Sequence, residues 1–161
     1  MNSAHIHLIT NHLPILGFAF SAIAIIWGIY RKSRNTLLLA FSLTFISAAG
    51  GFITGNTGEA AEEAVENIIG ISHDAIHEHE EAAEAAMPFV IASGILSLIS
   101  GFLLIKNHKY AAISQWVLLL SVITGSFLSM RAGWLGGKIR HAQEINAGPS
   151  VNNETEHEEH E

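Results

Sequence analysis

The 161-residue chain contains no cysteine, which removes disulfides, thiolate-bound metals, iron–sulfur clusters and covalently attached c-type haem. Any metal or cofactor ligand must therefore come from histidine, carboxylate or methionine. Proline is scarce, three residues in all, and two of them, Pro14 and Pro88, stand at the start of apolar stretches. Only 14% of the residues are charged. No Lys or Arg precedes Arg31, so the basic n-region of a cleaved signal peptide is missing and the first apolar segment is expected to be retained. Missing too is any nucleophile–base pair, phosphate-binding loop or substrate pocket. Whether the chain is an enzyme stays open, and a stand-alone enzyme is not expected.

What the chain has in abundance is apolar sequence in long blocks. Residues 13–30, 36–55, 88–105 and 111–130 each fall within the roughly 17 to 25 residues that cross a hydrocarbon core as a helix. Mean hydropathy is only +0.33 because a polar stretch, residues 56–87, and a polar tail dilute it. The spacing predicts an all-α fold, an integral membrane four-helix bundle within residues 1–146. The links after the first and third segments are basic (Arg31, Lys32 and Arg34; Lys106 and Lys109), which places them in the cytoplasm. The 56–87 stretch holds nine acids and no Lys or Arg. It and both termini are expected outside the membrane of a bacterial cell.

Each pair of segments reads as a hairpin. A shift of 74 positions aligns Pro14 with Pro88, Lys32 with Lys106 and Gly51 with Gly125, as a duplication with both halves in one orientation would. Small residues recur as Gly51 and Gly55, Gly133 and Gly137, and Gly94 and Gly101. Lipid supplies no hydrophobic force between helices, so these are expected to permit close packing. Residues 58–69 are rich in Ala and Glu, Gly70 breaks the pattern, and Ser72 is a plausible N-cap for a helix running from His73 toward Pro88. A helical, acidic cap over the outer face follows. The tail, residues 147–161, ends in ETEHEEHE and reads as disordered.

Ten histidines are present, and nine fall on the outer side: His5, His7, His12, His73, His77, His79, His141, His157 and His160. Imidazole is the commonest metal and haem ligand, so a one-sided cluster points to cofactor or proton chemistry there. His73 and His77 are one helical turn apart with Glu80, Glu81 and Glu84 beyond them, a spacing that can grip a divalent ion or merely form a solvated acidic face. His12 stands at a helix start beside Pro14. Arg131 sits at the outer end of the fourth segment, where it needs an anionic partner or snorkels to the interface.

The runs HLITNHLP (7–14), TGEAAEEAVE (57–66), IHEHEEAAEAA (76–86) and GWLGGKIRHAQEI (133–145) together resemble the bacterial four-helix membrane proteins known as domain of unknown function 2231. The resemblance covers most of residues 5–146. It implies a paired-histidine entrance to the first helix (His7, His12, Pro14), a His-Glu pair before the third (His79 and Glu80, with His77 as rival) and a GG-x3-H exit from the fourth (Gly136, Gly137, His141). The chain departs from that pattern at Leu8, where the family more often has Pro, and at Ala142, where it tends to have Gly.

Three functions compete. The first is a haem b or other redox-metal site at the outer face, used in electron transfer or respiration, with ligands drawn from His7, His12, His79 and His141 and Arg131 beside the propionates. The second is binding or sensing of a divalent metal (Zn, Cu, Ni or Fe) by His73, His77, His79, Glu80 and Glu81. The third is an accessory subunit docking on a larger respiratory or transport complex. Expected partners are the lipid bilayer and either such a complex or further copies of the chain, with no nucleic acid.

Overall fold

A computed structural model describes residues 3–66 and 73–146, with side chains described for residues 5–7, 9–58, 60 and 73–139. The tail, residues 147–161 with His157 and His160, and the expected break at Gly70 and cap at Ser72 lie outside the described residues. Everything described is helical or a tight link. The elements are α1 (Ser3–Thr10), a π-helical turn (Leu13–Gly17), α2 (Phe18–Tyr30), α3 (Arg34–Glu66), α4 (His73–Ile105) and α5 (Ala111–Asn146). Four stretches are long and apolar enough to cross a membrane: Leu13–Tyr30, Arg34–Gly58, His73–Ile105 and Ala111–Ile139.

Four segment ends differ from the hydropathy pattern. α3 and α4 have 33 residues each and α5 has 36, or about 50 Å of helix at 1.5 Å per residue. Each is therefore roughly 20 Å longer than the thickness of a hydrocarbon layer, about 30 Å. The described part of the 56–87 stretch is not a separate layer; it is the outward continuation of α3 and α4. Polar residues at the expected boundary do not stop α3, because Asn56 Nδ2 donates to Phe52 O at 2.7 Å and Thr57 Oγ1 to Ile53 O at 2.9 Å. Pro88 lies inside α4 on its exposed side, where its missing N–H and ring are tolerated. The first helix likewise begins early. α1 precedes the apolar segment, and the π turn at Pro14 joins it to α2.

α2, α3, α4 and α5 pack in chain order around one core, with α5 closing against α2 and α1 lying on α3. The inside is unusually small and polar. Ser21, Thr44, Ser47, Ser93 and Ser100 are at most 1% exposed, whereas Leu39, Leu120 and Phe127 are near 70% exposed. That inversion suits a hydrocarbon surround, in which large side chains gain nothing by turning inward and close helix contact does the holding. Ser93 and Ser121 share a 2.8 Å hydroxyl bond between α4 and α5. Hydroxyls on Thr44 and Ser47 bond back to Ala40 O and Leu43 O, which satisfies them without a second helix. The apolar core, including Phe18, Ile25, Phe41, Leu118 and Val122, fills the remainder. A second small cluster, Ala82, Ala132 and Leu135, packs the outward continuation of α4 on α5.

The paired glycines meet side chains as expected, except one. Gly51 faces Val90 and Pro14, Gly55 faces Met87 and Gly133 faces Ile15, but a Cβ at Gly137 would meet nothing within 4 Å.

The two basic links are the same turn built twice. In the first, Ser33 N–H reaches Gly28 O and Lys32 N–H reaches Ile29 O; in the second, His108 N–H reaches Leu103 O and Asn107 N–H reaches Leu104 O. Each is a Schellman motif whose C′ residue is left-handed, Lys32 at φ 49° and Asn107 at φ 50°. The turns thus align Lys32 with Asn107, one position off the shift that pairs Lys32 with Lys106. Arg34 ties them together, donating to Asn107 Oδ1 and to Ile105 O, both at 3.1 Å, the latter a carbonyl left open at the end of α4.

The tightest helix contact is testable. A Cβ at Gly17 would lie 2.8 Å from Ser47 Cβ and collide with its Oγ. Gly17→Ala should lower stability by about 1–3 kcal/mol, and adding Ser47→Gly should restore most of it, as read by thermal unfolding of the purified protein.

Candidate functional site

Two histidines occupy matching niches at the acidic end of the bundle. His7 on α1 is half-buried against α3, with Nδ1 3.0 Å from the main-chain oxygen of Thr54. His79 on α4 is half-buried against α5, with Nδ1 2.8 Å from the main-chain oxygen of Ala132. A carbonyl can only accept, so each Nδ1 carries the proton and donates it. Each ring is thereby held in one tautomer, with a lone pair on Nε2.

The two niches share a construction. Thr54 and Ala132 each precede a glycine by four residues, Gly58 and Gly136. In a helix the side chain at the fourth position leans back over the preceding turn, where it would crowd a ring bonding to that carbonyl. Glycine leaves the approach clear. A Cβ at Gly136 would come within 3.0 Å of His79 Cε1 and 3.2 Å of its Nδ1, whereas one at Gly58 would stand 3.8 Å from His7 Cε1. Measured from Gly51 and Gly125, the His79 niche lies about one helical turn farther out.

α1 is fastened at a second point. Thr54 Oγ1 donates to Thr10 Oγ1 at 2.8 Å, and Thr10 donates to Ile6 O at 2.8 Å. The π turn sets the aim. Its extra residue rotates the preceding helix by about 100° relative to a regular continuation, and His7 meets α3.

Burial pushes the proton affinity of His7 below the ordinary histidine value, the Thr54 carbonyl partly opposes that, and a charge on His79 adds to the lowering. His7 is thus biased toward the neutral form.

The other candidates lie elsewhere. His12 is exposed and makes no capping hydrogen bond. His73 and His77 are exposed on α4, as are Glu80, Glu81 and Glu84. His77 approaches Glu80 at 3.8 Å and Glu81 at 3.5 Å, solvated pairs of the kind that contribute little. The proposed five-residue metal set is therefore divided, since His79 turns toward α5. Among the described residues no three His, Asp or Glu side chains converge. Arg131 is exposed near this end of α5. His141 lies on α5, with its side chain outside the described set, as do those of Glu59, Glu62 and Arg140. The residues that build the niches, Thr10, Thr54, Gly58, Ala132 and Gly136, carry no catalytic signature; the available signal was a glycine beside, rather than within, each small-residue pair.

Comparisons with family models, curated proteins and solved structures returned no match.

Two outcomes follow from this geometry. Gly136→Ala should displace the His79 ring and scramble its tautomer in ¹⁵N NMR, while Gly58→Ala should leave His7 nearly unchanged. Because the folded value of His7 lies below its unfolded value of about 6.5, the undocked state binds more protons as pH falls through that region. The attachment of α1 should hold above about pH 6.5 and weaken as pH drops toward and through the lowered value. Hydrogen exchange of α1 should report this, and His7→Gln should flatten the profile.

Proposed function

We propose that the chain is a multi-pass protein of the bacterial inner membrane that holds a b-type haem between His7 and His79 and serves electron transfer, with its acidic, histidine-bearing end outside. The observation that carries this reading is the pair of imidazoles from separate hairpins, each with Nδ1–H anchored on a main-chain carbonyl and Nε2 without a hydrogen-bond partner among the described residues. A carbonyl that accepts from the far nitrogen fixes a ligating ring and raises its basicity. The donor set favours haem over a mononuclear divalent ion. A structural zinc site uses four protein ligands, and the described residues bring no three together, whereas haem asks the protein for two.

Bound haem would supply a one-electron couple. The chain's own contribution is orientation and charge. The carbonyls of Thr54 and Ala132 hold the rings, and burial keeps His7 unprotonated and available near neutral pH. Arg131 is the cation proposed for a haem carboxylate. If both His7 and His79 held the group, it would supply electron transfer rather than substrate binding, the chemistry of a carrier. The likeness to domain of unknown function 2231 includes His7 and His79, and adds His12, His141 and, as a rival to His79, His77.

The test is the visible spectrum of protein purified after expression with haem supplied. A Soret band should appear, fall severalfold in His7→Ala and His79→Ala, recover with added imidazole, and persist in His12→Ala and His77→Ala. Colourless protein carrying stoichiometric Zn, Cu, Ni or Fe would overturn haem in favour of divalent metal binding. Neither pigment nor metal would leave an accessory role in a larger complex.

A further inference from the structure

Along the seam between α3 and α4 a groove opens on the outer surface of the bundle. Toward the basic end it encloses about 510 Å³, with Phe41, Ser97 and Gly101 among its lining residues and Leu38, Phe102 and Ile105 at its sides. Toward the histidine end it continues as about 250 Å³ over Ala48 and Gly94. Phe45 and Leu98 line both parts, so the two form one continuous track. From Leu38 to Phe52 the α3 backbone rises about 21 Å at 1.5 Å per residue, most of the depth of a hydrocarbon core of about 30 Å.

The track offers almost nothing to a polar ligand. Its polar side chains are Ser42 and Ser97, and both hydroxyls donate within their own helices, to Leu38 O and Gly94 O. Its mouth is different. Lys106 Nζ stands 6.0 Å over the Phe102 ring, and Arg34 is bonded to Ile105 O, so two cations sit where the groove begins. Arg31, Lys32 and Lys109 lie on the same links. No Asp or Glu occurs in residues 1–58 or 85–143, so no carboxylate on these links or in the helix segments beside them neutralises these charges.

We infer that this groove binds an anionic phospholipid, its phosphate at Lys106 and Arg34 and one acyl chain along the α3–α4 track. The inference rests on the reading that the four helices span a bilayer. Charge complementarity selects the occupant. A zwitterionic lipid would fill the track without answering the cations at its mouth. A second copy packed in parallel would bring another set of uncompensated cations to the same level, and like charges so placed repel.

The full chain can be tested with Trp27, Trp116 and Trp134 replaced by Phe and one reporter tryptophan introduced. Leu98→Trp places it in the groove; Leu120→Trp, on the exposed side of α5, serves as control. The protein is reconstituted in phosphatidylcholine vesicles containing a minor fraction of brominated phosphatidylglycerol or, separately, brominated phosphatidylcholine. The groove reporter should be quenched severalfold more by the brominated phosphatidylglycerol, and the control equally by both. Lys106→Gln should cut the preference about fivefold. Gly101→Leu should abolish it without disturbing the fold, because a Cβ there meets only Phe41 at 3.9 Å. Added inorganic phosphate should not compete. Equal quenching at Leu98→Trp, a preference that survives both variants, displacement by free phosphate, or a crosslinked dimer that Gly101→Leu disperses would each overturn the inference. An unquenched control would instead remove the membrane reading on which it stands.

Discussion

A helix carbonyl has two lone pairs, and the intrahelical hydrogen bond uses one. Whether a foreign donor can reach the other depends on the side chain leaning over that turn. At Thr54 and Ala132 the residue four positions on is glycine, and in both places an imidazole approaches. The orientation and tautomer of His79 depend on that access, since a Cβ at Gly136 would come within 3.0 Å of the ring, whereas one at Gly58 would stand 3.8 Å from His7, whose bond to Thr54 O helps to dock α1. The energy involved is modest, about 0.5–1.5 kcal/mol for a typical net hydrogen bond, but its directional effect is large. A ring that donates from Nδ1 can offer a lone pair only from the far side.

The bundle keeps these niches in place by an economy of small groups. Glycines and serines fill its interior and bulky side chains cover its outside, so helices approach closely where Gly17 meets Ser47 and Gly51 meets Pro14 and Val90. At the opposite end twin left-handed turns and the bonds from Arg34 hold the hairpins together. The two ends therefore differ in chemistry. One concentrates uncompensated cations on short links, whereas the other extends three helices beyond the apolar layer and carries the histidines.

Hydropathy made the four apolar segments legible, and charge separated the two ends. It misplaced the outer helix limits for a physical reason. Polarity there was taken to end the apolar helices and begin a separate helical cap, yet Asn56 and Thr57 bond back to their own helix and Pro88 sits on an exposed face, so α3 and α4 continue. Histidine abundance pointed to the end where the two niches lie but could not choose among its members. His77 and His79 lie on one helix in similar sequence, and only packing shows that one faces solvent and the other α5. His7 and His12, five residues apart, fall on different sides of the chain, His7 half-buried against α3 and His12 exposed. The glycine pairs were assigned to helix packing, and five of their six members meet side chains there; Gly136 was noted only as part of the GG-x3-H run and Gly58 only as the start of an Ala- and Glu-rich stretch, because a residue without a side chain signals nothing by its chemistry.

The π turn at Pro14 makes the aim of His7 a matter of counting. Side-chain identity between Asn11 and Gly17 contributes packing, but the heading of α1 is set by how many residues that turn contains. Sequence drift through substitution can therefore proceed there with His7 still facing Thr54. Loss or gain of a single residue would swing the ring around the helix axis. The segment tolerates spelling changes while remaining intolerant of changes in length.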